Sequence, residues 1–346
     1  MRIGIVAPPW VAVPPPGYGG IEVVVDNLAR GLQDAGHDVL LCATGDSTCA
    51  VPVWTTLSQA VGTAGSGPAQ EACHVMEAYA ALLPWEADIV HDHTLVGPIY
   101  AERSGQPIVT TNHGPFADEL AHYYRRIAPS VPIIAISHHQ AATADGIPIA
   151  AVIHHGLDVD AIVPGDGRGG FALFLGRMNP DKGVDTAARV AAAAGVPLKI
   201  ASKLEEPHEW EYFHTAVEPL LGGDVEYLGE VDAEAKHDLL SDAFCLLNPI
   251  AWPEPFGMVM VESLAHGTPV VAMPHGSVPE LIDDGTTGFV RSGEAELAEA
   301  VLAAPELDRN LCREAAVERF STRRMVDDHL ALYRHLLDRD GSHVAA

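Results

Sequence analysis

The segment Asn248-Pro-Ile-Ala-Trp-Pro-Glu-Pro-Phe-Gly-Met-Val-Met-Val-Glu-Ser-Leu-Ala-His-Gly267 places two carboxylates, Glu254 and Glu262, eight residues apart. Prolines on both sides of Glu254 keep it out of a helix. The apolar spacing from Gly257 to His266 predicts a helix that carries Glu262 about a turn and a half inside. Carboxylates so placed suit hydrogen bonds from sugar and ribose hydroxyls. The amides of Phe256, Gly257 and Met258 would face an anion at the helix N-terminus. An amphipathic helix with a capping acid is the plainer reading, and the Pro-Glu-Pro-Phe-Gly context argues against it.

Two further segments could handle an anion. Gly176-Arg-Met-Asn-Pro-Asp-Lys-Gly183 follows an apolar run, so Arg177 and Lys182 flank a turn where two cations could grip a diphosphate. By spacing alone, a solvated pair opening a helix reads as well. In Gly17-Tyr-Gly-Gly-Ile-Glu22, Gly19 and Gly20 precede a helical stretch to Leu32 and would let backbone amides approach an anion. Plain turn glycines explain that motif equally, and it is not the GxGxxG spacing of a dinucleotide fold. Histidines number 18, which raises the question of metal. His91 and His93 would share one side of a strand end, and the pairs His138-His139 and His154-His155 could add ligands. Adjacent histidines point to different faces and no third ligand is fixed, so polar loop histidines are the expectation and no metal site is assigned. His93 is expected to line a cleft.

The elements that must carry these residues alternate. Short Val/Ile-rich runs, expected as strands at 3–7, 39–42, 89–91, 108–111, 133–136 and 152–154, are separated by stretches with helical spacing. The series restarts at 171–175 and continues through 198–201, 225–228, 244–247 and 270–272. Continuous apolar runs are the mark of parallel strands covered by helices on both faces. Residues 163–170, Val-Pro-Gly-Asp-Gly-Arg-Gly-Gly, break the pattern and are expected to be a hinge. Residues 1–162 then form one domain and 171–322 a second. Residues 323–346 hold a last amphipathic helix, with Met325, Leu330, Leu332, Tyr333, Leu336 and Leu337 on its apolar face, packing back on the first domain.

Composition narrows the function. The 346 residues suffice for two cores at ~150 residues per domain. With 20 Lys and Arg against 47 Asp and Glu, the net charge of -27 repels a phosphate backbone, so nucleic acid is not the expected partner. Five Cys form no CxxC pair and leave an odd thiol, which fits a reducing cytoplasm. The apolar run after Arg2 is too short for a signal core or a membrane span. Peripheral membrane contact stays open, with Arg125 and Arg126 as a small basic patch.

The Glu254/Glu262 pair, the Gly-Arg-x4-Lys-Gly turn and Gly-Gly-Ile-Glu22 resemble glycosyltransferase family 4, and the resemblance spans nearly the whole chain. It extends to Ala-Ile-Ser137, His-Gly-Leu-Asp158, Tyr-Leu-Gly-Glu230 and Glu280-Leu-Ile-Asp-Asp-Gly-Thr-Thr-Gly288. It implies a GT-B fold: two Rossmann-like, doubly wound α/β domains facing across a cleft. It also implies retaining, metal-independent transfer from a nucleotide-sugar, UDP-linked in the first instance and GDP-linked in the second. By that resemblance Arg177 and Lys182 hold the diphosphate, with backbone at Gly19, Gly20, Met258 and Val259. Glu262 takes the ribose, Glu254 the transferred sugar, and His113 lies beside the reacting sugar. Tyr18 and His93 fall to the acceptor side. The acceptor is a hydroxyl of a natural product or small glycan. No cofactor is implied. A sugar-nucleotide epimerase or phosphorylase, or a non-catalytic nucleotide-sugar binder, are the alternatives.

Overall fold

The structure, a computed structural model, describes residues 1–17, 19–62, 67–100 and 104–344. Contacts divide the chain into two compact units. The first comprises Met1–Gly156 with Thr322–Ala346, and the second Leu157–Ser321.

The first unit is built on seven parallel strands: β1 Arg2–Val6, β2 Asp38–Ala43, β3 Val53–Thr55, β4 Ile89–Asp92, β5 Ile108–Thr111, β6 Ile133–Ala135 and β7 Ile149–Val152. They lie in the order β3-β2-β1-β4-β5-β6-β7. The order reverses between β1 and β4, so the connections leaving those strands diverge and open a crevice at their carboxyl ends. Ile3, Ile5, Ile89, Val109 and Ile133 are inaccessible to solvent, which is why these strands read as unbroken apolar runs. The helix Gly20–Asp34 presents Val24, Val25, Leu28 and Leu32 to this core.

The helix Thr322–Val344 belongs to this unit. Met325, His329 and Tyr333, four residues apart, are buried along it together with Val326, Leu330 and Leu332. Leu336 and Leu337, expected on the apolar face, are half-buried. The helix passes close to Gly31, where an ideal Cβ would stand 2.7 Å from a methyl of Thr322 and 2.7 Å from one of Val326. Alanine normally improves a helix interior by about 1 kcal/mol over glycine. Here the overpacking, typically 1–3 kcal/mol, opposes that gain. Gly31→Ala is therefore expected to lower the urea midpoint, and a raised midpoint would show that this contact is loose.

The second unit holds β8 Ala172–Arg177, β9 Leu198–Lys203, β10 Val225–Gly229, β11 Cys245–Asn248, β12 Val270–Ala272 and β13 Gly288–Val290. They are parallel, in the order β10-β9-β8-β11-β12-β13. The core joins Phe174, Ile200, Leu247 and Val271 of the sheet to Val184, Val190, Leu297 and Val301 of the covering helices. The reversal falls between β8 and β11, the strands that run into the two segments richest in candidate residues.

The stretch 163–170 differs from the expected hinge. Gly165, Gly167 and Gly169 donate backbone hydrogen bonds to His266, Ser241 and Asp242 at 3.0, 3.1 and 2.9 Å. Arg309 bonds the carbonyls of Gly165, Ser241 and Ala243, each at 3.1 Å. An ideal Cβ on Gly165 would stand 2.1 Å from the Ser241 carbonyl oxygen. These glycines permit close backbone packing rather than mobility. The chain passes between units at 156/157 and again at 321/322.

Candidate active site

Arg177 ends β8, and the turn after it is held by Asn179, whose side chain accepts from the Asp181 amide at 2.8 Å. Gly183 closes the turn with φ 73°, and an ideal Cβ there would stand 2.2 Å from the Pro249 carbonyl oxygen. Only glycine lets the loops after β8 and β11 meet so closely. Ala251 donates to the Asp181 carbonyl at 2.8 Å and joins them. Two loops from either side of the strand-order reversal thus become one rigid body.

On it, Lys182 forms an ion pair with Glu254, and the Trp252 indole donates to the same carboxylate oxygen at 3.0 Å. The Lys182 ammonium lies 5.4 Å from the Trp252 ring centroid. The Glu254 backbone is fixed by Ser277, whose amide donates to its carbonyl at 3.0 Å. Gly276, with φ 63°, leaves room for that approach: an ideal Cβ would stand 2.2 Å from the Glu254 carbonyl oxygen. Arg177 donates through Nε and Nη2 to one oxygen of Glu209 at 3.1 and 2.8 Å. The other Glu209 oxygen accepts from the amides of Glu205 and Glu206 at 2.9 and 3.1 Å. Burial alone would raise the Glu209 carboxyl, but the two amides and Arg177 outweigh it and hold the group below the ordinary glutamate value.

The helix Met258–Ala265 starts at Gly257, φ 89°, with no side-chain cap and no acidic residue in its first turn. Its leading amides at Met258 and Val259 are free of a capping carboxylate, and the dipole there favours an anion. Phe256 is 2% exposed and its ring packs edge-on against Phe320, so only its backbone belongs to the site. Glu262 pairs with Lys236 of the helix Ala233–Asp242 at 2.7 Å. The second unit therefore assembles Arg177, Lys182, Glu254 and the Gly257 helix end around the carboxyl ends of β8 and β11, with Glu262 farther along that helix. Glu209, Lys236, Trp252 and Gly276 were not anticipated. Glu209 had a legible signal: Glu206-Pro-His-Glu209 is a capping-box spacing with proline at the first helical position.

In the first unit the helix Gly20–Asp34 also starts without a side-chain cap. An ideal Cβ on Gly19 would stand 2.6 Å from the Pro15 side chain and 2.9 Å from the Glu22 carboxylate. Tyr18 lies outside the described residues. His93 and His113 leave the ends of β4 and β5. Their rings meet, His93 Nδ1 lying 2.9 Å from His113 Nε2. His91 packs on His93 with centroids 4.1 Å apart and planes tilted by 33°, and its nitrogens are held by the Tyr333 hydroxyl and Thr111 Oγ1, each at 2.7 Å. His155 stacks on His113 at 5.2 Å, and His329 lies 5.2 Å from His91. The expectation of polar loop histidines fails for His91, His93 and His155, which with His329 are all 6% exposed or less, whereas His138 is exposed and His139 and His154 are half-buried. His93 sits behind His113 rather than on an open surface. Burial pushes His113 down to about 3 and His329 to about 4, and holds His91, His93 and His155 well below the ordinary value. These rings are neutral and pack as aromatic core. Among the described residues they do not bring three ligand nitrogens within 4.8 Å of one another.

Comparison with known proteins places this geometry. Residues 18–161 match the model of Glycosyltransferase Family 4, and residues 162–318 that of glycosyl transferases group 1. The chain is similar to a phosphatidyl-myo-inositol mannosyltransferase of Mycolicibacterium smegmatis. Identity is 28% over 320 residues, covering 83% of this chain and 80% of the relative. It spans less than two thirds of the length of several other curated relatives it matches. Among solved structures, AviGT4, a glycosyltransferase involved in avilamycin A biosynthesis, shares 26% identity at a TM-score of 0.76, with 98% of both chains covered. Anabaena HepE in complex with UDP and glucose shares 20% identity at a TM-score of 0.75, covering 96% of this chain and 98% of that one. With the two family models lying end to end over the same two parallel sheets, the chain belongs to glycosyltransferase family 4 and is a glycosyltransferase of the GT-B fold.

Proposed function

We propose that the protein transfers a sugar from a nucleoside diphosphate donor, with UDP as the favoured nucleotide, to an acceptor hydroxyl with retention of configuration and without a metal. The observation that carries this reading is the convergence of Arg177, Lys182 and the uncapped Met258–Ala265 helix end beside the reversal of strand order. Cleavage of the sugar–phosphate bond builds negative charge on the departing diphosphate. Two cations and a helix dipole already in place stabilise that charge more in the transition state than in the ground state. The same groups supply the positive charge that a divalent ion would otherwise bring, so transfer is expected to survive chelation. The acceptor hydroxyl attacks from the face the diphosphate leaves, and the departing phosphate oxygen takes its proton. Glu262 holds the ribose, Glu254 the sugar hydroxyls, and His113 presents a neutral ring to the sugar. The chain has no helix, among the described residues, long and apolar enough to cross a membrane. A hydroxyl of a natural product or a small glycan, met in the cytoplasm, is the proposed acceptor.

The experiment is a contrast between two isosteric variants. Glu262→Gln is expected to weaken UDP itself, by the 1.5–3 kcal/mol or so typical of a hydrogen bond to a charged group. Glu254→Gln should lower the transfer rate far more than it changes UDP affinity, since its proposed contact is with the sugar while Lys182, its ion-pair partner, stays in place for the diphosphate. Calorimetry with UDP and initial rates with the intact donor separate the two. Equal losses of UDP affinity would remove Glu254 from the sugar, and donor turnover without an acceptor would favour an epimerase.

A further inference from the structure

We propose that His93 is a positioning residue that sets the tautomer of His113, so that His113 carries its proton on Nδ1 and offers it as a hydrogen-bond donor to the bound sugar. The tautomer follows from the first unit alone; its use in transfer rests on the function proposed above.

Two neutral imidazoles joined by one N···N contact share a single proton in it, so His93 Nδ1 and His113 Nε2, 2.9 Å apart, cannot both be protonated or both be bare. If His113 donated, His93 would have to keep its own proton on Nε2. That atom is buried without a hydrogen-bond partner. The small cavity beside the His93 ring is lined by Val24, Leu28, Thr111, Ile134 and Ile153 together with His155 and His329, and the Thr111 hydroxyl is engaged by His91 Nε2 at 2.7 Å. A buried N–H without an acceptor is the rarer defect in folded proteins, and a bare acceptor is better tolerated. His93 therefore holds its proton on Nδ1 and donates to His113 Nε2, which leaves the His113 proton on Nδ1.

The surroundings prevent His93 from turning over. His91 packs against it with centroids 4.1 Å apart and planes tilted by 33°, and is itself clamped at both nitrogens by Tyr333 and Thr111. His113 is the partly exposed end of the row. Among the described residues nothing bonds its Nδ1, so that nitrogen is the one left for a ligand. A free neutral imidazole prefers its proton on Nε2, so the opposite arrangement at His113 would be a property of this packing.

The test uses the full chain labelled with 15N-histidine at pH 7.5, without donor. Long-range 1H–15N spectra distinguish protonated from bare ring nitrogens, with His113→Gln identifying the signals. The expected result is a protonated Nδ1 and a bare Nε2 at His113; a protonated Nε2 would overturn the proposal without any variant having to fold. His93→Asn puts an amide donor where Nδ1 stood and should preserve the His113 tautomer. His93→Phe keeps the ring stacked on His91 but removes the donor, and should release His113 to the Nε2 form. In transfer assays the phenylalanine variant is expected to lose about tenfold or more in kcat with little change in donor KM, and the asparagine variant to recover most of it. A purely structural role predicts the reverse ranking, because phenylalanine preserves the packing better. If the spectra are as expected but neither the wild type nor a variant transfers sugar, the proposed function fails while the tautomer assignment stands.

Discussion

Between pH 7 and pH 5 the first unit is expected to lose roughly 8 kcal/mol of folding stability, comparable to the whole margin of an ordinary domain. Six rings, those of His74, His91, His93, His155 and His329 together with the partly exposed His113, are neutral when folded, with values held far below 6.5. In the unfolded chain they titrate near 6.5. The stability they contribute is therefore fully present above pH 6.5 and is lost as the pH falls toward the folded values. Each costs about 1.4 kcal/mol per pH unit over that window. Two buried acids act in the opposite direction. Burial raises Glu22 to about 7 and Asp92 to about 6. Their contribution is present below the unfolded values and lost as the pH rises through 6 and 7, so acidification returns roughly 3 kcal/mol. The histidines win because there are more of them. Urea titrations at pH 7.5, 6 and 5 would show this. Trp10, Trp54 and Trp85 lie in the first unit, and Trp210 and Trp252 in the second, so single-tryptophan variants separate the signals. A midpoint independent of pH would mean the rings are hydrated or already charged.

Replacing Arg177 by alanine is expected to weaken UDP by roughly 10- to 100-fold, the range of a charge-assisted contact. It should also destabilise the second unit, because Glu209 would be left as a carboxylate buried to 1% exposure without its cation. Arg177 is itself 41% exposed and water screens the pair. The stability loss is accordingly set at about 1–2 kcal/mol, below the 3–5 kcal/mol of a fully buried pair. Arg177→Lys should recover little, since an ammonium cannot reach both Glu209 and a phosphate with the geometry of a planar fork. Uridine, which has no diphosphate, should bind all three proteins alike. Unchanged UDP affinity in the alanine variant would take Arg177 out of the donor site.

The alternating architecture was legible because burial on both faces wrote the longer strands as apolar runs, and Ile108–Thr111 and Val270–Ala272 have the expected bounds. Strands β3 and β13 leave no such run because they are largely outside the core: Val53–Thr55 is exposed at Trp54 and Thr55, and Gly288–Val290 is fully buried only at its glycine. At β7 the expected 152–154 is displaced to Ile149–Val152, where Ala150 and Ala151 carry little hydrophobic signal. The loop at 163–170 misled because glycine serves both mobility and tight packing, and only the Ser241 and His266 carbonyls show which applies. In the site, the prolines around Glu254 and the Gly-Arg-x4-Lys-Gly turn were readable as local chemistry. The pairing of Arg177 with Glu209 spans 32 residues, and that of His91 with Tyr333 spans 242. No periodicity encodes contacts at such separations, so the buried histidine row could not be seen in the chain.

The second unit is one uninterrupted segment whose ends meet, Leu157 donating to the Phe320 carbonyl at 2.8 Å. The first unit is divided around it, and its histidine row closes only when Tyr333 reaches His91. During synthesis the ribosome therefore releases every strand of the later unit before the helix that completes the earlier one. Domains usually finish in the order they are made. Here the nascent chain must hold its first unit unfinished, without the helix that carries Tyr333 to His91, while the sheet encoded after it folds to completion.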